Sequence, residues 1–259
     1  MTKPGVSVQL IIFGERNKTD IECVLSEVSD AGYDGIEAGN LFETFGEDAT
    51  NRMLANSQLQ VSGAHFGSDD FSKVERLKSN ILYAKAVGLK DLMCSAFIEK
   101  SIEGYQKAAS IFNEAGKTLA SEGLHFNYHN HAWEFDDLGG VTGMDILAQE
   151  TDPAFVKFNV DVFWVWYAGK DPSEFIQKYQ ERTGYYHFKD GKRGVNSEGA
   201  TQPEFLELGN GNVDLKAAYL TAKSIGTPRW ITTEQDSTKL TPAESIKISR
   251  DFLSRELGI

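Results

Sequence analysis

Short runs of β-forming residues alternate with longer segments of helical spacing eight times along the chain, an order that parallel βα units produce and hairpins do not. The strand-like runs are 6–12, 35–38, 60–65, 91–95, 125–131, 156–161, 185–189 and 230–235. The helical segments that follow them are 19–31, 49–56, 71–87, 102–121, 142–149, 172–179, 215–224 and 242–257. Parallel neighbours need a crossover between them, so eight such units in succession predict one closed (β/α)8 barrel, and 259 residues suit it.

Local punctuation agrees with that architecture. Gly32, Gly88, Gly123 and Gly226 each stand between a helical segment and a strand, where a residue without Cβ closes a helix. Asp171-Pro172 and Thr241-Pro242 place a capping side chain before a proline suited to the first turn. The stretch 190–211 breaks the rhythm: it is rich in Gly, Asn and charge, and is expected to form a long loop over the barrel mouth. No linker or low-complexity tract divides the chain, so 1–259 reads as a single domain.

Composition narrows the partners. The formal net charge of -12 opposes a nucleic-acid partner, whose affinity rests on Lys and Arg displacing counterions. Cys23 and Cys94 lie in or beside apolar segments and are expected to be buried free thiols, which fits a reducing, cytoplasmic compartment better than a disulfide framework. The first apolar stretch, 6–13, contains Ser7 and Gln9 and falls well short of the roughly 20 residues that cross a bilayer, so it is read as a strand with no membrane partner.

In such a barrel chemistry sits at the carboxyl ends of the strands. Glu37 closes the second strand, His65 the third and Ser95 the fourth. His129, Asn130 and His131 close the fifth, with Glu134 just beyond. Asp161 closes the sixth, His187 with Lys189 and Asp190 the seventh, and Glu234 with Gln235 and Asp236 the eighth. His65, His129, His131 and His187 therefore share one rim, whereas His125 begins a strand at the other end.

A lone histidine is more often a hydrogen-bonded core residue, and a rim of solvated charges is the plain alternative to a site. Four imidazoles converging with Asp and Glu, without cysteine, instead suit a divalent ion such as Mn, Co, Fe, Zn or Mg. That ion would polarise a carbonyl or hydroxyl oxygen and stabilise an enediolate while a nearby carboxylate or imidazole moves the proton. The aromatic run 163–167 follows Asp161; Trp164 divides evenly between core and substrate wall, and Trp166 and Tyr167 are assigned to the core. No Gly-rich phosphate cradle of the P-loop or dinucleotide kind occurs, so no nucleotide cofactor is expected.

Several motifs, in this order, carry a resemblance: Gly32-Tyr33-Asp34-Gly35-Ile36-Glu37, Gly63-Ala64-His65, Tyr128-His129-Asn130-His131-Ala132-Trp133-Glu134-Phe135, Val160-Asp161 with Trp164, Ala168-Gly169-Lys170-Asp171-Pro172, His187-Phe188-Lys189-Asp190, Gly209-Asn210-Gly211-Asn212-Val213-Asp214 and Glu234-Gln235-Asp236. The chain resembles the sugar phosphate isomerase/epimerase group, TIM barrels similar to xylose isomerase that include ketose 3-epimerases and inosose dehydratases. The resemblance implies a divalent ion held by Glu, Asp, His and Glu from strands five to eight. Matched by motif, the last three fall on Asp161, His187 and Glu234, and the fifth-strand position falls on His129.

That histidine departs from the pattern, and the carboxylate it replaces is supplied either by Glu134 from the loop or not at all. The implied metal set is His129, Asp161, His187 and Glu234, and the implied acid-base residues are His129, Glu134 and Glu234. Glu37, His65, His131, Trp164 and Lys189 are implied on the substrate side, although a salt bridge from Lys189 to Asp190 or another rim acid is slightly preferred. The implied activity is a metal-dependent isomerase, epimerase or lyase acting on a keto-sugar, cyclitol or oxidised glycoside through a metal-stabilised enediolate. A sugar-binding or partner subunit that has lost turnover is the alternative, and an apurinic endonuclease is less favoured on charge. Homo-oligomerisation stays open.

Overall fold

The computed structural model describes residues 3–95, 98–226 and 228–259. Its strands are β1 (Gly5–Gln9), β2 (Gly35–Ala38), β3 (Gln60–Phe66), β4 (Asp91–Cys94), β5 (His125–His129), β6 (Val156–Asp161), β7 (Thr183–Phe188), β8 (Asp190–Val195), β9 (Thr201–Leu206) and β10 (Trp230–Thr233). Eight of them close a parallel barrel in the order β1-β10-β7-β6-β5-β4-β3-β2, as the alternation requires. The apolar core fills the space between this barrel and the helices around it.

Sequence spacing explains how the helices seat. Helix Ile21–Asp30 buries Ile21, Val24, Leu25 and Val28 as one stripe. Cys23 falls off that stripe and is exposed, which corrects the expectation of burial, while Cys94 on β4 is buried and both thiols are free. Asp171 accepts from the backbone N–H of Ser173 at 2.7 Å and Glu174 at 3.0 Å, and Thr241 forms a capping box with Glu244. Gly88 closes helix Val74–Val87 with φ 77°, a conformation that costs a side-chain-bearing residue a Cβ clash.

The departures cluster at the carboxyl rim. Strand β1 stops at Gln9, whose side chain accepts from Ile11 N–H and starts a 3-10 turn over Leu10–Phe13. The aromatic run forms a short helix, Val162–Tyr167, that springs directly from β6 because the Asp161 carboxylate caps it, accepting from Trp164 N–H at 3.0 Å. Trp164, Trp166 and Tyr167 pack half-buried against the core.

The expected loop 190–211 contains an antiparallel hairpin of β8 and β9 instead. Asp190 pins its base, accepting from the N–H groups of Gly191, Gly209, Gly211 and Val213 at 2.8–3.1 Å. No described helix is long and apolar enough to cross a membrane.

Two strand registers shift, one between Ile36 and Glu37 on β2 and one between Phe158 and Asn159 on β6. Such irregularities re-aim side chains and concentrate near functional sites. Beneath them a directional chain of buried hydroxyls crosses the barrel interior: Ser7 to Thr232, Thr232 to the Tyr185 hydroxyl, Tyr185 to Ser62, and Ser62 to the Ile36 carbonyl, at 2.7–3.0 Å. These hydroxyls are thus linked end to end.

Candidate metal centre

The ends of β5, β6 and β7 and the residue after β10 bring His129, Asp161, His187 and Glu234 together, one ligand atom of each lying within 4.8 Å of all the others. All four are buried. Asp161 Oδ2 accepts no hydrogen bond. Ion pairs link the group, with Lys189 Nζ 3.4 Å from Asp161 Oδ2 and His187 Nδ1 paired with Glu234 Oε2. A buried carboxylate oxygen without a hydrogen bond is rare, and converging imidazole and carboxylate groups are the donor set of a divalent cation. The residues present therefore fit a metal.

The supporting polar groups complete the geometry. Glu37, fully buried on β2, faces two imidazoles: its Oε2 is 2.8 Å from His187 Nε2 and its Oε1 is 3.0 Å from His65 Nδ1. A carboxylate behind a ligating histidine fixes the ring's tautomer and leaves the other nitrogen toward the ion. The sequence reading put Glu37 on the substrate side; the structure engages both its oxygens with histidines. Asn159 Nδ2 lies 3.2 Å from His129 Nδ1, the roles on the ring depending on its tautomer, and Asn159 Oδ1 is buried without a partner. With the amide turned so that Oδ1 faces the ring, it would accept Nδ1–H and leave a lone pair on Nε2 for an ion.

Burial lowers the His129 imidazole well below its ordinary range, so this ring is neutral. His187 behaves oppositely, since Glu37 and Glu234 overcome burial and raise it to about 10. Burial, with Glu234 alongside, pushes Asp161 up to about 6 against the pull of Lys189. Burial also works against the Glu234 carboxylate, but Lys189 and His187 outweigh it and hold the group well below its usual range.

Lys189, 1% exposed, joins three acids: Asp161, Glu234 at 3.1 Å and Asp236 at 2.8 Å. The rings of Trp164 and Phe205 lie 5.3 and 5.4 Å from its ammonium. Asp190, the other acid considered from sequence, instead anchors the hairpin.

Glu134 is not part of the cluster. Its Oε1 accepts from the Tyr128 hydroxyl at 2.7 Å and its Oε2 from His131 N–H at 2.8 Å, so the carboxylate faces away from the cluster, in which His129 lies. His131 stacks on Trp133 at 4.0 Å and sits 3.5 Å from Ser95 Oγ. His125 lies at the opposite end of the barrel, bound to Asp91. A cleft of about 410 Å³ opens above the cluster, lined by Gln9, Ile11, His65, Phe66, Gly67, Ser95, His129, His131, Glu234 and Asp236.

One residue, Asn159, escaped the sequence reading, as did the partner of another. Asn159 sits two positions before Asp161, on the same face of β6, and that period-two spacing was the available signal. Asp236 was noticed as part of a strand-end motif, but nothing in the sequence tied it to Lys189.

The chain is similar to known proteins throughout its length. The inosose dehydratase of Bacillus velezensis is 25% identical, covering 92% of this chain and 89% of that protein. The crystal structure of a sugar phosphate isomerase/epimerase from Parabacteroides distasonis superposes with a TM-score of 0.79 at 20% identity, covering 98% of this chain and 95% of that one. The crystal structure of the IolI protein with a bound zinc atom superposes with a TM-score of 0.69 at 15% identity, covering 96% of each chain. Residues 25–256 match the family model described as the Xylose isomerase-like TIM barrel, and the chain belongs to that family.

Proposed function

We propose that this protein is a divalent-metal-dependent enzyme of isomerase, epimerase or dehydratase type, acting on a keto-sugar, cyclitol or oxidised glycoside. The observation that carries this reading is the meeting of His129, Asp161, His187 and Glu234 within 4.8 Å, with Asp161 Oδ2 buried and without a hydrogen bond. The similarity to an inosose dehydratase and the zinc of the IolI protein support the same chemistry. An ion held by those four residues would supply a Lewis acid that lowers the energy of negative charge on a substrate oxygen.

The chain's own residues divide the remaining work. His129 has one nitrogen toward Asn159 and the other free for the cluster, so proton transfer at carbon falls to imidazoles that line the cleft. His65 is the better placed of them, because Glu37 faces its Nδ1 and its Nε2 makes no hydrogen bond among the described residues. Lys189, surrounded by acids, balances charge at the centre. The aromatic rings of Trp133 and Trp164 back His131 and exclude water from that side.

Incubation of the Mn2+-loaded protein in deuterated water with a panel of 3-keto sugars, inososes and free ketoses tests the reading. Deuterium is expected at the carbon beside the carbonyl of at least one compound. A protein that binds Mn2+ and exchanges no proton on any of them would be a sugar-binding relative and not the enzyme.

A further inference from the structure

The cleft over the cluster is not alone on its rim. A second cleft of about 400 Å³ adjoins it, and the two share Gln9, Ile11 and Phe66 as common wall. Each lies within the roughly 300–1,000 Å³ of clefts that hold small ligands, so a second unit of a substrate has a place of its own. The second cleft is built by three short elements that precede the first two barrel helices: the 3-10 turn Leu10–Phe13 and helices Arg16–Thr19 and Leu41–Phe45. On the opposite side the mouth is walled, with Trp133 stacked on His131 and Trp164 and Phe205 over Lys189. Among the described residues, a substrate longer than one ring has room to extend toward β1 and β2.

The lining specifies the chemistry of that extension. Ile11 is 44% exposed at the junction and Phe45 is half-buried, giving an apolar face, and Asn17 and Thr44 add polar groups around it. The cations of the cleft stand among acids. Arg76 meets Asp70 at 2.6 Å and Glu43 at 3.7 Å, and Lys18 meets Glu15 at 3.7 Å. Glu43 itself lines the cleft, so an anionic unit would face a carboxylate there, whereas hydroxyl groups would find an acceptor in it. Gln9 stands at the passage between the clefts, its Oε1 accepting from Ile11 N–H and its Nε2 free of partners among the described residues.

We infer that the substrate has two units, a reacting keto unit above the cluster and a second, neutral, hydroxylated sugar unit, joined through a glycosidic oxygen, in the cleft of Gln9, Ile11 and Phe45. This rests on the functional reading above and narrows it to oxidised glycosides. Thr44 and Lys18 line the second cleft only, apart from the cluster and its partners.

The test compares 3-keto-glucose with α- and β-linked 3-keto-glucosyl-glucose disaccharides on the Mn2+-loaded protein, by calorimetric affinity and by proton exchange. A disaccharide is expected to bind at least about tenfold tighter, the equivalent of about 1.4 kcal/mol. Thr44→Trp, and independently Lys18→Trp, is expected to remove that advantage and leave 3-keto-glucose unchanged. Equal affinity for one and two units, or a tryptophan that weakens both alike, overturns the second subsite even if exchange proceeds. Tight disaccharide binding lost in Thr44→Trp without any exchange would uphold the subsite and contradict the enzymatic reading.

Discussion

Lys189 shows how much of this site's behaviour is set by single residues. An ammonium enclosed by Asp161, Glu234 and Asp236 is a cation already built into the centre, and removing it leaves buried acids facing one another. Lys189→Met is expected to destabilise the metal-stripped protein by about 3–5 kcal/mol, the cost of breaking a buried ion pair from one side. Saturating Mn2+ should recover most of that loss, because the ion supplies the missing positive charge. Thermal unfolding with and without Mn2+ measures both; an equal loss in the two conditions would mean that the lysine acts through packing. Asn159 acts one step further out, through the tautomer of His129. Asn159→Ala is expected to weaken Mn2+ binding about 10–100-fold, and Asn159→Asp, which places an acceptor beside Nδ1, to restore it. Unchanged affinity in the alanine variant would assign Asn159 to filling space.

Between elements, the carboxylate of Glu207 ties the end of the hairpin to two other segments. It accepts from Gln235 Nε2 at 3.2 Å, Thr238 Oγ1 at 2.8 Å and Ser245 Oγ at 2.9 Å, joining the loop after β10 to helix Pro242–Phe252. Burial would raise this carboxyl, but hydrogen bonds from its own backbone, Thr238, Ser245 and Gln235 outweigh it and hold the group below its ordinary value. A depressed carboxyl stabilises the fold above its unfolded pKa of about 4.3 and loses that contribution as pH falls through the lower folded value. Glu207→Gln should therefore cost about 1–2 kcal/mol at neutral pH, with the gap to the parent protein closing as pH drops below about 4. Urea unfolding across pH 3–7 reads this, and a gap independent of pH would show that ionisation of Glu207 does not contribute.

The same elements show what the sequence could and could not disclose. Strand ends such as His65, Asp161 and His187 were legible because a polar residue terminating an apolar run marks the rim by itself. The hairpin was not, since its strands read Asp190-Gly191-Lys192-Arg193-Gly194-Val195 and Thr201-Gln202-Pro203-Glu204-Phe205-Leu206, with glycines and a proline that suppress the strand pattern. Its anchor, Asp190, works by accepting from backbone N–H groups as far away as Val213, and that pairing exists only after folding. Glu37 was read as a rim residue but not as the partner of His65 and His187, because the register shift that aims it has no local signature.

At the scale of the molecule, repetition made the fold readable: one parallel βα unit leaves unsatisfied strand edges, and eight in sequence have closure as their simple solution. Closure then creates the centre. Glu37 and His187 are 150 residues apart and meet at 2.8 Å across the barrel, as neither strand could arrange alone. At the position where the sequence departs from the pattern, His129 lies in the cluster and Glu134 does not. The account stands or falls on whether the cluster takes up an ion. Calorimetric titration of chelator-stripped protein with Mn2+ is the direct measurement, made on the parent chain and on Asp161→Asn. One saturable site per chain in the parent, lost in the variant, is the result expected; no binding at millimolar Mn2+, or binding that Asp161→Asn leaves intact, would contradict it.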